Sequence, residues 1–215
     1  YALITIAIFG MWYYARYEGN FLPSPKKTFN PMMLVAIVIL VPGTQFAANF
    51  IANLTGYIRP DWLQQYNELF ETSGITDTTF VTVLYSVILA PICEELIFRG
   101  VTMRCARKAL PFALANLMQA ALFGLFHLNW IQGIYAFALG IVLGYVCERG
   151  GSIYYSMGLH LLFNLWGTLS GFFPDPGNSV VVFVVVIVVT IVSLVVGFVL
   201  FNKGRRKLPI NSTGI

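Results

Sequence analysis

The chain has 215 residues, of which 58% are hydrophobic and only 10% charged, and its mean hydropathy is +0.76. A soluble domain carries roughly 25% charged residues, so the balance points to an integral membrane protein. The net charge of +4 does not suggest nucleic acid, because the basic residues sit at the ends of apolar runs, where the positive-inside rule places them.

A helix needs about 20 apolar residues to cross a bilayer. Seven runs are read as such helices, at about 2–15, 32–54, 79–98, 110–128, 131–147, 152–170 and 179–201. The expected fold is therefore all-α, a polytopic transmembrane bundle of about seven helices in 1–215. The first run begins at Tyr1 and lacks a basic n-region and a clear cleavage site, so it reads as a truncated transmembrane helix and not a signal peptide. Residues missing upstream would make the count eight. Pro31 suits the opening turn of the second helix. The connection after it carries Arg59, Asp61, Glu68, Glu71 and Asp77, and 61–73 is polar enough for a surface helix or loop. Arg99, Arg104, Arg107 and Lys108 follow the third run. Gly150-Gly151-Ser152 predicts a tight turn, with Ser152 as N-cap of the sixth helix. Pro174-Asp-Pro-Gly177 predicts a turn before the last helix. That helix, Val180 to Leu200, is mostly valine and reads as a lipid-facing edge helix. Basic and non-basic connections alternate, which predicts a cytoplasmic C-terminus and an external 61–73. Cys93, Cys105 and Cys147 give no disulfide framework and read as small buried hydrophobes.

Three runs carry ionisable groups, which are rare in hydrocarbon without a function. Glu94 and Glu95 are adjacent, and Arg99 follows Glu95 by four residues, so Glu95 and Arg99 share a helix face. Glu94 points about 100° away from Glu95 and has no partner within its own helix, which suits a general base. Phe123 and His127 repeat the four-residue spacing, as do His160 and Asn164. Each pattern has a plainer reading. Glu95 with Arg99 fits an interfacial clamp in which Arg99 snorkels to water, and a lone membrane histidine is commonly a helix–helix hydrogen bond. Two histidines together with Glu94 and Asn164 favour a site.

The ordered set Glu-Glu-x-x-x-Arg (Glu94, Glu95, Arg99), Phe-x-x-x-His (Phe123, His127) and His-x-x-x-Asn (His160, Asn164) resembles the CAAX protease and bacteriocin-processing family, also called CPBP or Abi. That family includes the CAAX prenyl protease of the endoplasmic reticulum. The resemblance covers about 94–164. It implies a single protease domain over 1–215 with its motif core at 91–166. It further implies an intramembrane endopeptidase acting near the cytoplasmic face on membrane-embedded or membrane-associated peptides. Glu94 would activate water with help from His127, and His160 and Asn164 would stabilise the oxyanion. Glu95, Arg99 and Phe123 would support them. Two histidines and a glutamate are also a catalytic zinc set, so Glu94, His127 and His160 are the ligands if a metal is used. Counting roles favours a metal-free reaction with no cofactor, since no further acid is free to act as base. The compact chain reads as a multi-pass protein of a prokaryotic cell membrane.

Depth poses a problem for upright helices. His127 would lie about 25 Å beyond Leu110, whereas Glu94 and His160 would lie about 10–15 Å from the same side. A tight hairpin tip at Asn129-Trp130 is the expected way out. The competing functions are a non-catalytic scaffold or bacteriocin self-immunity protein, and a small transporter using Glu94 and the histidines as a proton relay. The sequence shows no inverted repeat to favour transport.

Overall fold

The computed structural model describes residues 2–21, 29–72, 79–170 and 179–205. Among the described residues the chain forms eight helices and no strand. They are α1 (Ala2–Phe21), α2 (Pro31–Ile58), α3 (Pro60–Thr72), α4 (Phe80–Ala106), α5 (Phe112–Phe126), α6 (Trp130–Gly150), α7 (Ile153–Ser170) and α8 (Val180–Gly204). The eighth element is α3, the polar connection expected as a surface helix or loop. Among the described residues, α2, α4, α6 and α8 are the helices both long and apolar enough to cross a membrane. α1 and α5 offer shorter apolar stretches. The proline-rich turn at 174–177 and residues 73–78, with Asp77, lie outside the described residues.

The helix ends follow local chemistry. Asn30 caps α2 by accepting from the Met32 amide at 2.8 Å, and Pro31 occupies the first turn, where its missing N–H costs nothing. Thr79 and Thr82 form a capping box on α4. Ser152 accepts from the Tyr154 amide at 3.3 Å, as expected of an N-cap. Gly151, at φ +65°, stops α6 in the left-handed region that glycine enters without strain.

α2 and α8 run antiparallel and pack more extensively than any other pair of described elements. Gly43, Gly197 and Gly204 lie on this seam and allow close backbone approach. At Pro42 the α2 ladder is interrupted. There the Ser193 hydroxyl of α8 accepts from the Gly43 amide at 2.9 Å and donates to the Ile39 carbonyl. The rest of α8 is largely exposed, as its valine composition predicts for a lipid-facing helix. One apolar core joins α2, α6, α7 and α8. A second joins α1 to α4 and α7.

The ends of α4, α6 and α8 that carry Arg104, Arg107, Lys108, Arg149, Lys203 and Arg205 lie at one end of the bundle. There Arg107 pairs with Glu148 at 3.2 Å, and the Asn30 side chain donates to the Gly204 carbonyl at 2.8 Å. α3 lies at the opposite end. Cys93 and Cys147 are buried, but Cys105 is exposed on the short last turn of α4, contrary to the expectation for all three.

Candidate active site

α4 positions the two carboxylates. It is one helix from Phe80 to Ala106 with two π-helical stretches, Leu84–Leu89 and Leu96–Met103. The first ends just before Pro91, whose nitrogen has no hydrogen to donate, so the register changes where α-helical bonding is already broken. Between the two stretches, Ala90–Glu95 keeps α geometry and carries both Glu94 and Glu95. Single π turns inside helices recur at functional sites.

Glu95 and Arg99 are both fully buried, and Arg99 Nη1 donates to Glu95 Oε1 at 2.8 Å. Arg99 therefore does not snorkel to water. The guanidinium instead turns inward, donates from Nη2 to the Gly140 carbonyl of α6 at 3.3 Å, and lies 4.5 Å from the Phe123 ring centroid. A buried cation needs such partners on all sides, because desolvation costs several kcal/mol per ion. Gln119 of α5 donates to the same Gly140 carbonyl at 2.9 Å and to Asn116 Oδ1 at 2.7 Å, and Asn116 donates to the Ile141 carbonyl at 3.0 Å. This polar lattice fixes α5 against α6 beneath the arginine.

α7 brings His160 onto both carboxylates. Its Nδ1 is 3.0 Å from Glu95 Oε1, and its Nε2 is 3.6 Å from Glu94 Oε2. Glu95 already accepts from Arg99, so Nδ1–H is the donor to it. Nε2 and the Glu94 carboxyl then face one another with one proton to share. Glu94 keeps 16% of its side chain exposed, whereas Glu95 is sealed. The acid without a cation is thus the more accessible of the two.

His127 closes α5, and its Nδ1 lies 2.8 Å from the Phe123 carbonyl. A carbonyl only accepts, so Nδ1 carries the hydrogen and a neutral His127 presents its Nε2 lone pair to the site. Leu128, at φ 53°, makes the turn, and Asn129 caps α6 by accepting from the Gln132 amide at 3.1 Å. The hairpin tip is therefore only three residues long. Phe123 stands edge-on between the two imidazoles, with centroids 4.9 Å from His127 and 5.7 Å from His160. The depth conflict is resolved here, because the tip of the short α5 reaches the level of His160. Among the described residues Glu94 makes no direct hydrogen bond to His127; the imidazole beside it is His160. Asn164 donates from Nδ2 to the Ser86 carbonyl, in the first π stretch, at 2.8 Å.

The residues expected to form the site, Glu94, Glu95, Arg99, Phe123, His127, His160 and Asn164, therefore converge from α4, α5 and α7. Asn116, Gln119 and Gly140 join them unforeseen. Asn116 and Gln119 carried the same signal as the histidines, polar side chains three apart in an apolar run. Gly140 carried none. Among the described residues no three His, Cys, Asp or Glu side chains are grouped to hold a metal ion. Of the residues named for a zinc set, His127 leaves its Nε2 toward the site, His160 has Nδ1 on Glu95 and Nε2 facing Glu94, and Glu94 is partly exposed.

Residues 76–166 match the family described as type II CAAX prenyl endopeptidase Rce1-like. The likeness is confined to this segment of the chain. The segment contains all three motifs and the helices that carry them, α4 to α7, and so supports the resemblance read from Glu94 to Asn164. No curated protein and no solved structure matches the chain. Two of the four helices long and apolar enough to cross a membrane, α4 and α6, lie in the matched segment.

Proposed function

We propose that this protein is an intramembrane endopeptidase that hydrolyses a peptide bond with water activated by Glu94, without a metal. The observation that carries this reading is the division of labour between adjacent carboxylates. Glu95 is neutralised by Arg99 and His160 in a sealed pocket, and Glu94 is left partly open beside His160.

A water held between Glu94 and the Nε2 lone pair of His127 gives its proton to Glu94 as its oxygen attacks the scissile carbonyl. The C=O π pair moves onto the carbonyl oxygen. When the tetrahedral intermediate collapses, the C–N bond breaks and the leaving nitrogen takes the proton back from Glu94. His160, anchored through Nδ1, sits where its Nε2 can share the Glu94 proton during this cycle. Asn164 ties α7 to the π turn of α4 and offers its second amide hydrogen to the site.

Membrane depth supports a buried reaction on the cytoplasmic half. His160 is seven residues past Ile153 and Glu94 twelve before Ala106, which corresponds to about 10 Å and about 18 Å of helix rise from the basic end. The positive-inside rule makes that end cytoplasmic. The substrate on this reading is a membrane-associated peptide that arrives laterally or from the cytoplasm.

The test is cleavage of a panel of internally quenched, membrane-anchored peptides by purified wild type and Glu94→Gln, each with and without a zinc chelator. Activity abolished in Glu94→Gln and preserved in chelator is the expected result. Equal activity in the two proteins would overturn the reading, and loss in chelator restored by zinc would replace it with a metalloprotease.

A further inference from the structure

A groove of about 530 Å³ opens on the outside of the bundle where α5, α6 and α8 meet. Its walls are Phe112, Ala113 and Leu117 of α5, Val142 and Tyr145 of α6, and Phe198 of α8. None of Glu94, Glu95, Arg99, His127 or His160 lines it. Ala113 and Leu117 are exposed, so the trough faces the bilayer. α5 begins at Phe112 and α6 ends at Gly150, both at the basic end of the bundle. The groove therefore starts at that end and runs inward, and Phe112 to Leu117 spans about 8 Å of helix rise.

Tyr145 joins this trough to the charges above it. Its ring meets Phe198 edge-on with centroids 5.5 Å apart, and its hydroxyl donates to Asn202 Oδ1 at 2.8 Å. Asn202 is held in turn, its Nδ2 donating to the Phe198 carbonyl at 2.8 Å. The Arg149 guanidinium lies 5.7 Å from the Tyr145 centroid, which places a cation over the mouth of the groove. On α8, Asn202 and Arg205 follow Phe198 by four and seven residues, so Arg205 ends the same face. Lys108 precedes Phe112 by four residues, in the turn into α5. Arg107 is engaged by Glu148, but no ion pair among the described residues uses Lys108, Arg149 or Arg205. The site is apolar within the membrane and cationic at its mouth.

We infer that one anionic phospholipid of the leaflet at the basic end binds here, with an acyl chain in the groove and its phosphate among Arg149, Arg205 and Lys108. Basic pockets between transmembrane helices hold anionic headgroups, and a tyrosine one turn from a helix end sits at headgroup level. A zwitterionic lipid fills the same trough but brings no net negative charge to those cations. The groove is also lined by Asn116 and Ile141. Asn116 donates to the Ile141 carbonyl at 3.0 Å and accepts from Gln119 at 2.7 Å, in the lattice beneath Arg99. A lipid chain over that wall keeps water from those bonds and strengthens them. Binding is therefore read as stability, with no need for turnover.

The experiment titrates the purified full chain in detergent with phosphatidylglycerol or with phosphatidylcholine of the same acyl chains, read by native mass spectrometry and thermal unfolding. The variants are the double change Arg149→Gln with Arg205→Gln, and Ala113→Trp, which fills the trough from an exposed position. Wild type is expected to retain one phosphatidylglycerol and to unfold at a higher temperature with it than with phosphatidylcholine. Each cation near an anionic headgroup contributes about fivefold in affinity, so the double variant should bind phosphatidylglycerol about 30-fold more weakly. Ala113→Trp should lose the retained lipid. Equal retention and equal shifts for the two lipids on wild type would overturn the assignment. Unchanged phosphatidylglycerol affinity in the double variant, or in Ala113→Trp, would overturn it as well. Displacement of phosphatidylglycerol by the quenched peptides would make the groove a peptide site instead. None of these readouts uses cleavage, so their failure leaves the hydrolytic reading as it stands.

Discussion

The His160 imidazole is held at both nitrogens by carboxylates of consecutive residues, Nδ1 at 3.0 Å from Glu95 and Nε2 at 3.6 Å from Glu94. One ring thereby reads the state of two acids with different surroundings. Glu95 is fixed by Arg99, so only the Glu94 side is free to change during a reaction.

Substituting His160 and His127 should therefore have different consequences. His160→Ala removes a buried partner of Glu95 and should lower both activity and thermal stability. His127→Ala, at a half-buried hairpin tip, should abolish cleavage and leave the unfolding midpoint close to wild type. Parallel turnover and thermal-shift measurements in detergent separate the two, and identical behaviour of both variants would contradict the geometry.

Arg99→Met should be among the most damaging single changes. It leaves Glu95 charged and sealed, and breaking a buried pair from one side costs about 3–5 kcal/mol. Adding Glu95→Gln to Arg99→Met should recover part of that loss, since neither buried charge then remains. A double variant less stable than Arg99→Met alone would show that Glu95 is held mainly by His160.

Gly124 lies where α5 crosses α6. A Cβ there would meet the Gly133 carbonyl oxygen at 2.5 Å, and backbone cannot swing aside as a side chain can. Gly124→Ala should force the hairpin apart at a cost of about 1–3 kcal/mol. It should also displace His127, so activity falls further than stability. Unchanged turnover would mean that His127 tolerates movement.

Removing metal ions should leave activity unchanged. Dialysis of the wild type against a strong zinc chelator, followed by turnover on the same peptides, tests this directly. The expectation follows from role counting, since Glu94 spent as a metal ligand would leave no unpaired acid to act as base, Glu95 being paired with Arg99.

Helices and motif pairs were legible in the sequence because both depend on short range. Apolar run length sets where a membrane helix forms, and a four-residue spacing places Glu95 beside Arg99 whatever the rest of the fold does. Contacts such as His160 with Glu95, sixty-five residues apart, depend on how helices are stacked, and periodicity is silent about that. Arg99 shows the error this causes. Its position near a helix end suggested an escape to water, but α5 and α6 close over it and supply Gly140 and Phe123 instead. The end of the short α5 was less legible, because the run from Leu110 to Leu128 is broken only by Asn116, Gln119 and His127, and the Leu128 turn marks where the helix stops.

That short helix has a consequence for the surrounding lipid. Fifteen residues give about 22 Å of rise, against a hydrocarbon core of about 30 Å. Lipids beside α5 must dip to meet its end, and the headgroup layer sinks toward His127. Local thinning of the bilayer would thus carry solvent down to the level of His127 and His160. The proposed reaction, which consumes water at Glu94, would draw it by such a route.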